Sequence, residues 1–290
     1  MTMITITGAT GALNGRTVDH LLQTVGPADL TLVVRDPSRA GRFAERGVAV
    51  RRGDYADPTS LPSAFEGADR LLLVSSNDRG ADAVALHAAA VDAARIAEVG
   101  HVLYTSHQGA HAASPFGPAR DHAATEALLA DSGLRWTALR NGFYAHSLEW
   151  MLGPWRESGV VAVPADGPVS WTSREDAAEA AAVLLLSDEL PQGPVTLTAA
   201  DAPRFADLAR WAGEAAHRDV GFEVVDEGEW ARRAIAAGQP EAAVPFTLGF
   251  FRAVSGGFFG GTAPTLPDLL GREPVTARSV VESFVGSPSA

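Results

Sequence analysis

The chain has 290 residues, enough for one large α/β domain that carries a smaller substrate-covering part. It contains no cysteine, and its 23 basic residues are all arginine, which excludes disulfides, thiolate nucleophiles, Schiff bases and a Walker A lysine. The formal net charge of −12 argues against a DNA or RNA ligand.

The first predicted element is a β-branched strand that ends in a glycine-rich turn and leads into apolar residues at helical spacing. Glycine lets the main chain approach a pyrophosphate, and the N-terminus of the next helix offers N–H groups and a positive dipole end. The glycines at Gly8, Gly11 and Gly15 do not form the GxGxxG fingerprint, so an ordinary turn without a ligand is the alternative interpretation. We expect a diphosphate to bind here, at Gly8, Thr10, Gly11, Ala12, Leu13 and Asn14.

The second predicted strand, Leu30 to Val34, ends at Arg35. In dinucleotide-binding folds the residue that leaves this strand meets the adenosine ribose, where an arginine suits a 2′-phosphate and an acid suits a 2′-hydroxyl. Arg35 therefore predicts NADPH rather than NADH, with Arg39 as a second contact. The alternative is a solvated arginine, because Asp36 could pair with Arg35 or bind a hydroxyl instead.

Polar residues follow the third and fourth predicted strands, at the edge where open parallel sheets bind ligands. The third strand, Val48 to Val50, leads to Asp54 and Tyr55, for which we expect an adenine contact. The fourth strand, Arg70 to Val74, is apolar almost throughout, as in parallel sheets covered on both faces. The residues after it are expected to line the ribose of the nicotinamide, and they are Ser75, Ser76 and Asn77.

The fifth and sixth predicted strands also end in polar residues. A long helix from Ala81 to Val99 leads to the fifth strand, His101 to Ser106, whose end carries Thr105. Strands that alternate with helices in this way predict an α/β doubly wound parallel sheet. The sixth strand, Trp136 to Leu139, precedes residues that should flank the nicotinamide, namely Asn141, Gly142 and Phe143, with core packing as an equal alternative for the phenylalanine.

Several motifs occur in a characteristic order: Gly8-Ala9-Thr10-Gly11, Val34-Arg35-Asp36-Pro37, Gly53-Asp54-Tyr55-Ala56-Asp57, Thr105-Ser106, His122-Ala123-Ala124-Thr125-Glu126, Leu139-Arg140-Asn141-Gly142-Phe143-Tyr144 and Leu270-Gly271-Arg272-Glu273-Pro274. In this order they resemble the NmrA-like branch of the atypical short-chain dehydrogenases/reductases, and within it the bacterial NADPH-dependent quinone oxidoreductases and triphenylmethane reductases. The resemblance covers essentially the whole chain. It implies a Rossmann-type NAD(P)-binding domain at residues 1–150, with 166–190 packing back on it, and a smaller α+β substrate-covering lobe at 191–290.

Two departures from the family pattern affect the site. Asn14 stands where the family's third glycine is expected, and asparagine tolerates left-handed backbone better than most residues, so the turn can survive. The Tyr-x-x-x-Lys pair of the wider superfamily is impossible in a chain without lysine. Many NmrA-like members also lack this pair, so its absence agrees with the resemblance to this branch. It also means that the chain lacks the usual proton donor of the superfamily.

A quinone reductase needs little from its protein beyond placing the acceptor and excluding water, because the cofactor carries the hydride. The candidates for protonating or hydrogen-bonding a developing oxyanion are Ser106, His107, His122 and Tyr144, and we favour Tyr144 and His122. His122 begins the predicted helical segment from Asp121 to Leu129. Its alternative interpretation is therefore a solvated residue at a helix start.

The C-terminal part changes to an α+β pattern that starts with a strand from Val195 to Thr198, which we assign to the smaller lobe. The amphipathic segment from Leu148 to Arg156 carries two tryptophans suited to covering a planar substrate, with core packing as the alternative. The stretch from Phe246 to Phe259 concentrates phenylalanine among glycines. It indicates either a mobile aromatic lid or a subunit contact in a homodimer.

The leading hypothesis is an NADPH-dependent oxidoreductase that transfers hydride to a quinone or a similar planar conjugated small molecule. The alternatives are an NADP(H)-sensing regulatory protein without turnover and a natural-product biosynthetic reductase or isomerase on the same scaffold. The histidines are scattered, so no metal site is expected. We see neither a basic region ahead of an N-terminal apolar core nor an apolar run of about 18 residues, so we expect a soluble, cytoplasmic protein without a membrane partner.

Overall fold

The computed structural model describes residues 2–78 and 80–285. Its strands, in chain order, are β1 (Ile4–Thr7), β2 (Leu30–Val34), β3 (Ala49–Arg52), β4 (Arg70–Leu73), β5 (His101–His107), β6 (Trp136–Asn141), β7 (Phe143–Tyr144), β8 (Val160–Val163), β9 (Trp171–Thr172), β10 (Gly193–Leu197) and β11 (Gly221–Val224).

The α-helices alternate with the first six strands and dominate the C-terminal part. They are α1 (Ala12–Leu21), α2 (Gly41–Ala44), α3 (Leu61–Phe65), α4 (Ala83–Ile96), α5 (Gly117–Asp131), α6 (Leu148–Met151), α7 (Trp155–Ser158), α8 (Arg174–Leu186), α9 (Phe205–Ala216), α10 (Glu227–Ala236), α11 (Val244–Ser255), α12 (Thr265–Leu270) and α13 (Ala277–Val285). Short 3-10 helices lie at Pro27–Asp29, Pro37–Ala40, Pro58–Ser60, Ala145–Ser147 and Glu241–Ala243.

The main sheet has seven strands in the order β3-β2-β1-β4-β5-β6-β10. β1 pairs in parallel with both β2 and β4, β2 pairs in parallel with β3, and β4 pairs in parallel with β5. The chain therefore adds strands first on one side of β1 and then on the other, which is the topology of a doubly wound sheet. The predicted α/β fold of Rossmann type is confirmed.

Burial explains why the central strands have the sequences they do. Every side chain of β1 and β2 is buried, and both strands consist of β-branched residues and leucine. β3 lies at the edge of the sheet, and its four residues, which include Arg51 and Arg52, are half-buried or exposed. Charged side chains on an edge strand oppose pairing with another chain.

The helices of the first unit also pack against one another. α1 packs against α8, and α3 packs against α4. α4 begins two residues after its predicted start, because the carboxylate of Asp82 accepts a hydrogen bond from the N–H of Ala85 and caps the helix. The alanine-rich run that follows supplies high helix propensity.

The chain divides into two compact units. The first contains Met1–His107, Asp121–Arg140 and Arg174–Val195, and the second contains Gln108–Arg120, Asn141–Ser173 and Thr196–Ala290. The domain boundaries predicted from the sequence, at residues 150 and 191, stay a prediction. Residues 1, 79 and 286–290 of the predicted ranges lie outside the described part of the chain.

One strand prediction was wrong in its placement. The strand predicted at Val195–Thr198 for the smaller lobe is β10, and it lies next to β6 in the main sheet. The local sequence predicts that these residues form a strand, but it does not predict which neighbouring strand they pair with.

The second unit has its own aromatic core. Phe250, Phe251 and Phe259 are fully buried in it together with Trp155 and Trp171. Two short parallel pairs, β8 with β11 and β7 with β9, belong to this unit. Because these three phenylalanines are core residues, they do not form the mobile aromatic lid considered from the sequence.

Candidate functional site

The glycine-rich turn joins the carboxyl end of β1 to α1. Gly8 has a φ of +63°, and a Cβ placed there would lie 2.6 Å from Cγ1 of Val74, so a larger residue would be strained and would clash. Gly11 is the N-cap residue of α1, and within the described residues no side chain caps this helix. By contrast, α4 and α10 are capped by Asp82 and Asp226. The first N–H groups of α1 are therefore available to an anion.

The turn residues predicted to bind phosphate are accessible. Thr10, Gly11 and Ala12 are exposed, and Leu13 is half-buried. The first turn of α1 contains no acid, so nothing in that turn repels a negative charge. The glycines leave room for a ligand close to the backbone, and this cradle fits a pyrophosphate.

Asn14 has a structural role in the turn. Its side chain is buried, and Nδ2 donates a hydrogen bond of 2.8 Å to the carbonyl oxygen of Thr7. Its Oδ1 is also buried and has no hydrogen-bond partner among the described residues. The close approach expected of a third glycine is made by Gly15, where a Cβ would lie 2.9 Å from the carbonyl oxygen of Ala9. Asn14 thus ties the start of α1 to the end of β1.

Arg35 is exposed at the end of β2 and forms an ion pair with Asp78 at 2.9 Å. Asp36, which could have paired with Arg35, instead accepts hydrogen bonds from the N–H and the hydroxyl of Ser38 at 3.1 and 2.7 Å. These two bonds, with Arg39 nearby, hold the pKa of Asp36 below its usual value. Asp36 is therefore committed to capping the 3-10 helix that follows it.

Asp54 and Tyr55 form part of the scaffold behind the turn. The Asp54 carboxylate accepts a hydrogen bond of 3.0 Å from the N–H of Ala56. The Tyr55 hydroxyl lies 2.8 Å from the hydroxyl of Thr7 and donates to the carbonyl oxygen of Val74 at 3.1 Å, and burial raises the pKa of Tyr55. Tyr55 therefore fixes the ends of β1 and β4, and the adenine contact stays a prediction.

The residues after β4 are held by the end of β5 and by α4. The N–H of Ser75 donates to the Thr105 hydroxyl oxygen at 2.8 Å, and the Thr105 hydroxyl donates to that of Ser75 at 3.2 Å. The N–H of Ser76 donates to Nε2 of His87 at 2.7 Å. Asn77 is exposed. The structure thus brings Ser75, Ser76 and Thr105 together, as their positions at the carboxyl edge of the sheet predict.

Ser106 belongs to a buried charged network. Its hydroxyl donates a hydrogen bond of 2.6 Å to Oε1 of Glu126. The Glu126 carboxylate also receives two bonds from Arg140, from Nε at 2.9 Å and from Nη2 at 2.5 Å. A bidentate pair of this kind orients both side chains. The Ser106 hydroxyl is thereby directed at a carboxylate.

His122 lies in a cluster of rings on the first unit. Its Nδ1 is 2.8 Å from the hydroxyl oxygen of Tyr104, and its ring stacks on His107 with centroids 6.1 Å apart. Burial, together with His107 and His87, holds the pKa of His122 well below its usual value, and burial lowers the pKa of His107 to about 4. A lowered pKa favours the neutral imidazole, so His122 is better suited to donating or accepting a hydrogen bond than to acting as an imidazolium acid.

His87 completes this cluster, and its tautomer follows from its partners. Nε2 accepts from the N–H of Ser76, so the ring proton is on Nδ1, which lies 2.7 Å from the hydroxyl oxygen of Thr125. That hydroxyl donates to the carbonyl oxygen of Asp121 at 2.8 Å. Burial lowers the pKa of His87 to about 4. His87 is a neutral link between the loop after β4 and α5.

The predicted residues of the second unit begin with Asn141, the last residue of β6. The N–H of Gly142 donates to the carbonyl oxygen of Leu197 at 3.0 Å, and a Cβ at Gly142 would lie 2.4 Å from Oγ1 of Thr172. Close packing against β9 therefore requires a glycine here. The ring of Phe143 lies 4.5 Å from that of Phe250 between centroids, so Phe143 packs on the core of this unit.

Asn141 and Tyr144 contact each other in the second unit. Nδ2 of Asn141 donates a long hydrogen bond of 3.4 Å to the hydroxyl oxygen of Tyr144. Oδ1 of Asn141 is buried, and the described residues give it no hydrogen-bond partner. A buried amide oxygen without a partner is costly unless a ligand supplies a donor.

A family described as NAD(P)H-binding matches residues 8–188. The chain belongs to this NAD(P)H-binding family. Quinone oxidoreductase 2 of Escherichia coli (strain K12) is 33% identical over 285 residues, which cover 97% of this chain and 99% of that protein. An NmrA-like family domain-containing oxidoreductase of Aspergillus flavus is 30% identical and covers 97% of this chain and 94% of its own length.

A crystal structure of the Citrobacter sp. triphenylmethane reductase complexed with NADP(H) superposes with a TM-score of 0.87 at 32% identity, covering 97% of this chain and 99% of that one. The NmrA-like family predicted from the sequence is confirmed. For a member of the NAD(P)H-binding family, the turn after β1 is the expected place of the cofactor phosphates. The separate roles assigned to the site residues stay predictions.

The sequence assigned no role to four residues of this region: Tyr104, His87, Glu126 and Arg140. Tyr104 and His87 look like ordinary members of a buried strand and a helix in the sequence. Glu126 offered a usable signal, because it lies four residues after His122 on α5 and therefore on the same helical face. Arg140 follows an apolar strand and gave no sign of its partner.

The described residues contain no group of three or more His, Cys, Asp or Glu side chains that could hold a metal ion. The helices in this described part of the chain also lack the combined length and hydropathy of a membrane-spanning segment.

Proposed function

We propose that the protein is an oxidoreductase that uses NADPH to reduce a quinone or a similar planar conjugated small molecule. The observation that carries the proposal is an uncapped, accessible, glycine-lined helix N-terminus after β1, accompanied by an exposed arginine at the end of β2. The names of the relatives, a quinone oxidoreductase and a triphenylmethane reductase, support the class of acceptor.

The residues at the end of β2 favour NADPH over NADH as the cofactor. A 2′-phosphate there would meet the Arg35 guanidinium, a planar donor suited to phosphate. Asp36, which would favour a 2′-hydroxyl, is already engaged by Ser38. Arg39 is also exposed and lies four residues after Arg35, so it is the second candidate to contact the 2′-phosphate.

When bound, NADPH supplies the hydride, and the protein has to hold the nicotinamide ring and manage protons. The Oδ1 atom of Asn141 suits the N–H donors of a carboxamide, because it is buried and lacks a partner in the described part of the chain. At the carboxyl edge of the first unit's sheet, Ser75 and Ser76 are the candidates to offer hydroxyls to a ribose, and Thr105 holds Ser75 in place.

We assign the stabilisation of a developing oxyanion to neutral hydrogen-bond donors. His122 has the Tyr104 hydroxyl on Nδ1, which leaves its other ring nitrogen as the candidate donor. Tyr144 is the candidate in the second unit. Ser106 is better suited to positioning than to catalysis, because its hydroxyl is directed at Glu126.

The acceptor's planarity is matched by aromatic side chains on the second unit. Phe246 and Trp150 are exposed, and the Phe246 ring meets Phe116 edge to face at 5.0 Å between centroids. Exposed rings of this kind stack readily on flat conjugated molecules. They support a flat acceptor without selecting among quinones and dyes.

Turnover is the direct test. Oxidation of NADPH would be followed at 340 nm with menadione, 1,4-benzoquinone and a triphenylmethane dye, and NADH would be measured in parallel. We expect oxidation with at least one quinone. Cofactor binding without oxidation of any acceptor would refute the reductase and favour an NADP(H)-sensing protein, and conversion of a single natural-product intermediate would favour the biosynthetic alternative.

The cofactor assignment has its own variant. Arg35→Ala should weaken NADPH binding by about 1–3 kcal/mol, the range for a charge-assisted hydrogen bond, and should leave NADH binding nearly unchanged. Arg46→Ala is the control, because Arg46 is an exposed arginine of the first unit paired with Asp19. Equal losses for both cofactors would contradict a 2′-phosphate contact.

A further inference from the structure

The ion pair between Arg35 and Asp78 joins two segments at the carboxyl edge of the sheet. Arg35 directly follows β2, and Asp78 lies in the loop that follows β4. Nη1 of Arg35 is 2.9 Å from Oδ2 of Asp78, and both side chains are exposed, at 63% and 43%. A contact between exposed, flexible side chains is easily exchanged for another partner.

The sheet order gives the position of this pair. β1 lies between β2 and β4, and the glycine-rich turn leaves the end of β1. Neighbouring strands are about 4.8 Å apart, so β2 and β4 are about 10 Å apart. The pair therefore connects the segments on both sides of the turn, where the adenosine end of the cofactor would lie.

Within the described residues, Asp78 is the carboxylate that pairs with Arg35. The nearer acid in sequence, Asp36, is turned to Ser38. A 2′-phosphate and the Asp78 carboxylate would thus seek the same guanidinium. Two anions at one guanidinium repel each other unless one of them leaves.

We propose that Asp78 is a specificity-determining residue that competes with the 2′-phosphate for Arg35 and so limits the preference for NADPH over NADH. The inference rests on the proposed use of NADPH. Arg35 sets the preference, and Asp78 reduces it. NADH has no 2′-phosphate, so its binding does not depend on displacing Asp78.

The experiment measures binding rather than turnover, with 2′,5′-ADP and 5′-ADP as probes that differ in the 2′-phosphate. Isothermal titration calorimetry would compare the intact protein with Asp78→Asn. An exposed ion pair contributes at most about 1 kcal/mol, so removing such a competitor should tighten 2′,5′-ADP binding two- to fivefold, which corresponds to about 0.4–1 kcal/mol. Binding of 5′-ADP should change less than 1.5-fold, and the gain should shrink in high salt.

Two further variants separate competition from a general charge effect. Asp92→Asn removes another exposed acid of the first unit, one that pairs with Arg95, and should leave both probes unchanged. In an Arg35→Ala background, Asp78→Asn should no longer improve 2′,5′-ADP binding, because the contested guanidinium is absent.

The outcomes are distinct. Equal gains for both probes, an unchanged affinity for 2′,5′-ADP, or a gain that persists without Arg35 would overturn the role of Asp78. A protein that shows the expected pattern with the probes but oxidises no NADPH would retain this inference and lose the proposed reductase activity. Failure of the intact protein to prefer 2′,5′-ADP would overturn both the cofactor choice and the inference.

Discussion

Replacing Glu126 by glutamine should destabilise the protein far more than the loss of an ordinary ion pair. The Glu126 side chain is 8% exposed and its partner Arg140 is 28% exposed. Removing one member of a buried pair costs about 3–5 kcal/mol, because the remaining charge is left uncompensated. Arg140 keeps some contact with water, so we expect Glu126→Gln to lower the free energy of unfolding by about 2–4 kcal/mol.

The chain offers a matched control in Glu227, which accepts the same two bonds from Arg252, from Nε at 2.8 Å and from Nη2 at 2.5 Å. This pair is exposed, at 43% for Glu227 and 55% for Arg252. Glu227→Gln should therefore cost only about 0.2–1 kcal/mol.

Urea unfolding followed by circular dichroism at 222 nm measures both variants. The double variant Glu126→Gln/Arg140→Met should recover about 1 kcal/mol or more, because no unpaired buried charge is left. Equal losses for Glu126→Gln and Glu227→Gln would refute the reasoning that burial decides the strength of the pair. So would a double variant that is less stable than Glu126→Gln alone.

Two other changes test the turn and the buried histidines. Gly8→Ala should lower the free energy of unfolding by about 2–5 kcal/mol, from the left-handed backbone and the clash with Val74, and should weaken NADPH binding at least tenfold. Gly67→Ala, at a similar φ of +78° but with nothing within 4 Å, should cost only about 1–2 kcal/mol, and an equal loss at the two positions would contradict the clash. His87, His101 and His107 have pKa values lowered to about 4 by burial. These histidines take up protons near pH 6.5 in the unfolded chain but not in the folded chain. Their contribution to the free energy of unfolding is therefore complete above pH 6.5 and is lost as the pH falls toward 4. Urea unfolding at pH 7.5 and 5 should show a loss of about 2 kcal/mol for each such histidine, and a free energy of unfolding independent of pH over this range would contradict their burial in neutral form.

The main sheet could be predicted because its information is local. A β-branched run such as Ile4 to Thr7 strongly favours a buried strand. The glycine-rich turn and the helical spacing after it predict the helix that follows. Polar residues at the ends of parallel strands must meet at one edge. Thr105 and Ser75 do meet there, as this rule requires.

The pairing of side chains could not be predicted in the same way. Arg35 is next to Asp36 in the sequence but pairs with Asp78. The Asp36 carboxylate instead accepts a hydrogen bond from the N–H of Ser38. Tyr104 and His122 come from a strand and a helix that are brought together only by the folded sheet. Their contact depends on how two elements pack, which no local pattern records.

The aromatic segment near the C-terminus shows a different limit. Its phenylalanines and glycines suggested motion, but Phe250 and Phe259 stack with ring centroids 5.2 Å apart inside the core. Hydrophobic composition identifies residues that will be covered. It does not tell whether a ligand, a second subunit or the same chain covers them.

The central claim is that the turn between β1 and α1 holds a phosphorylated nicotinamide dinucleotide. Isothermal titration calorimetry of the folded protein with NADPH and NADH tests it without reference to any acceptor. We predict saturable binding of NADPH that is tighter than that of NADH. Absence of binding of both cofactors at millimolar concentration would contradict the account.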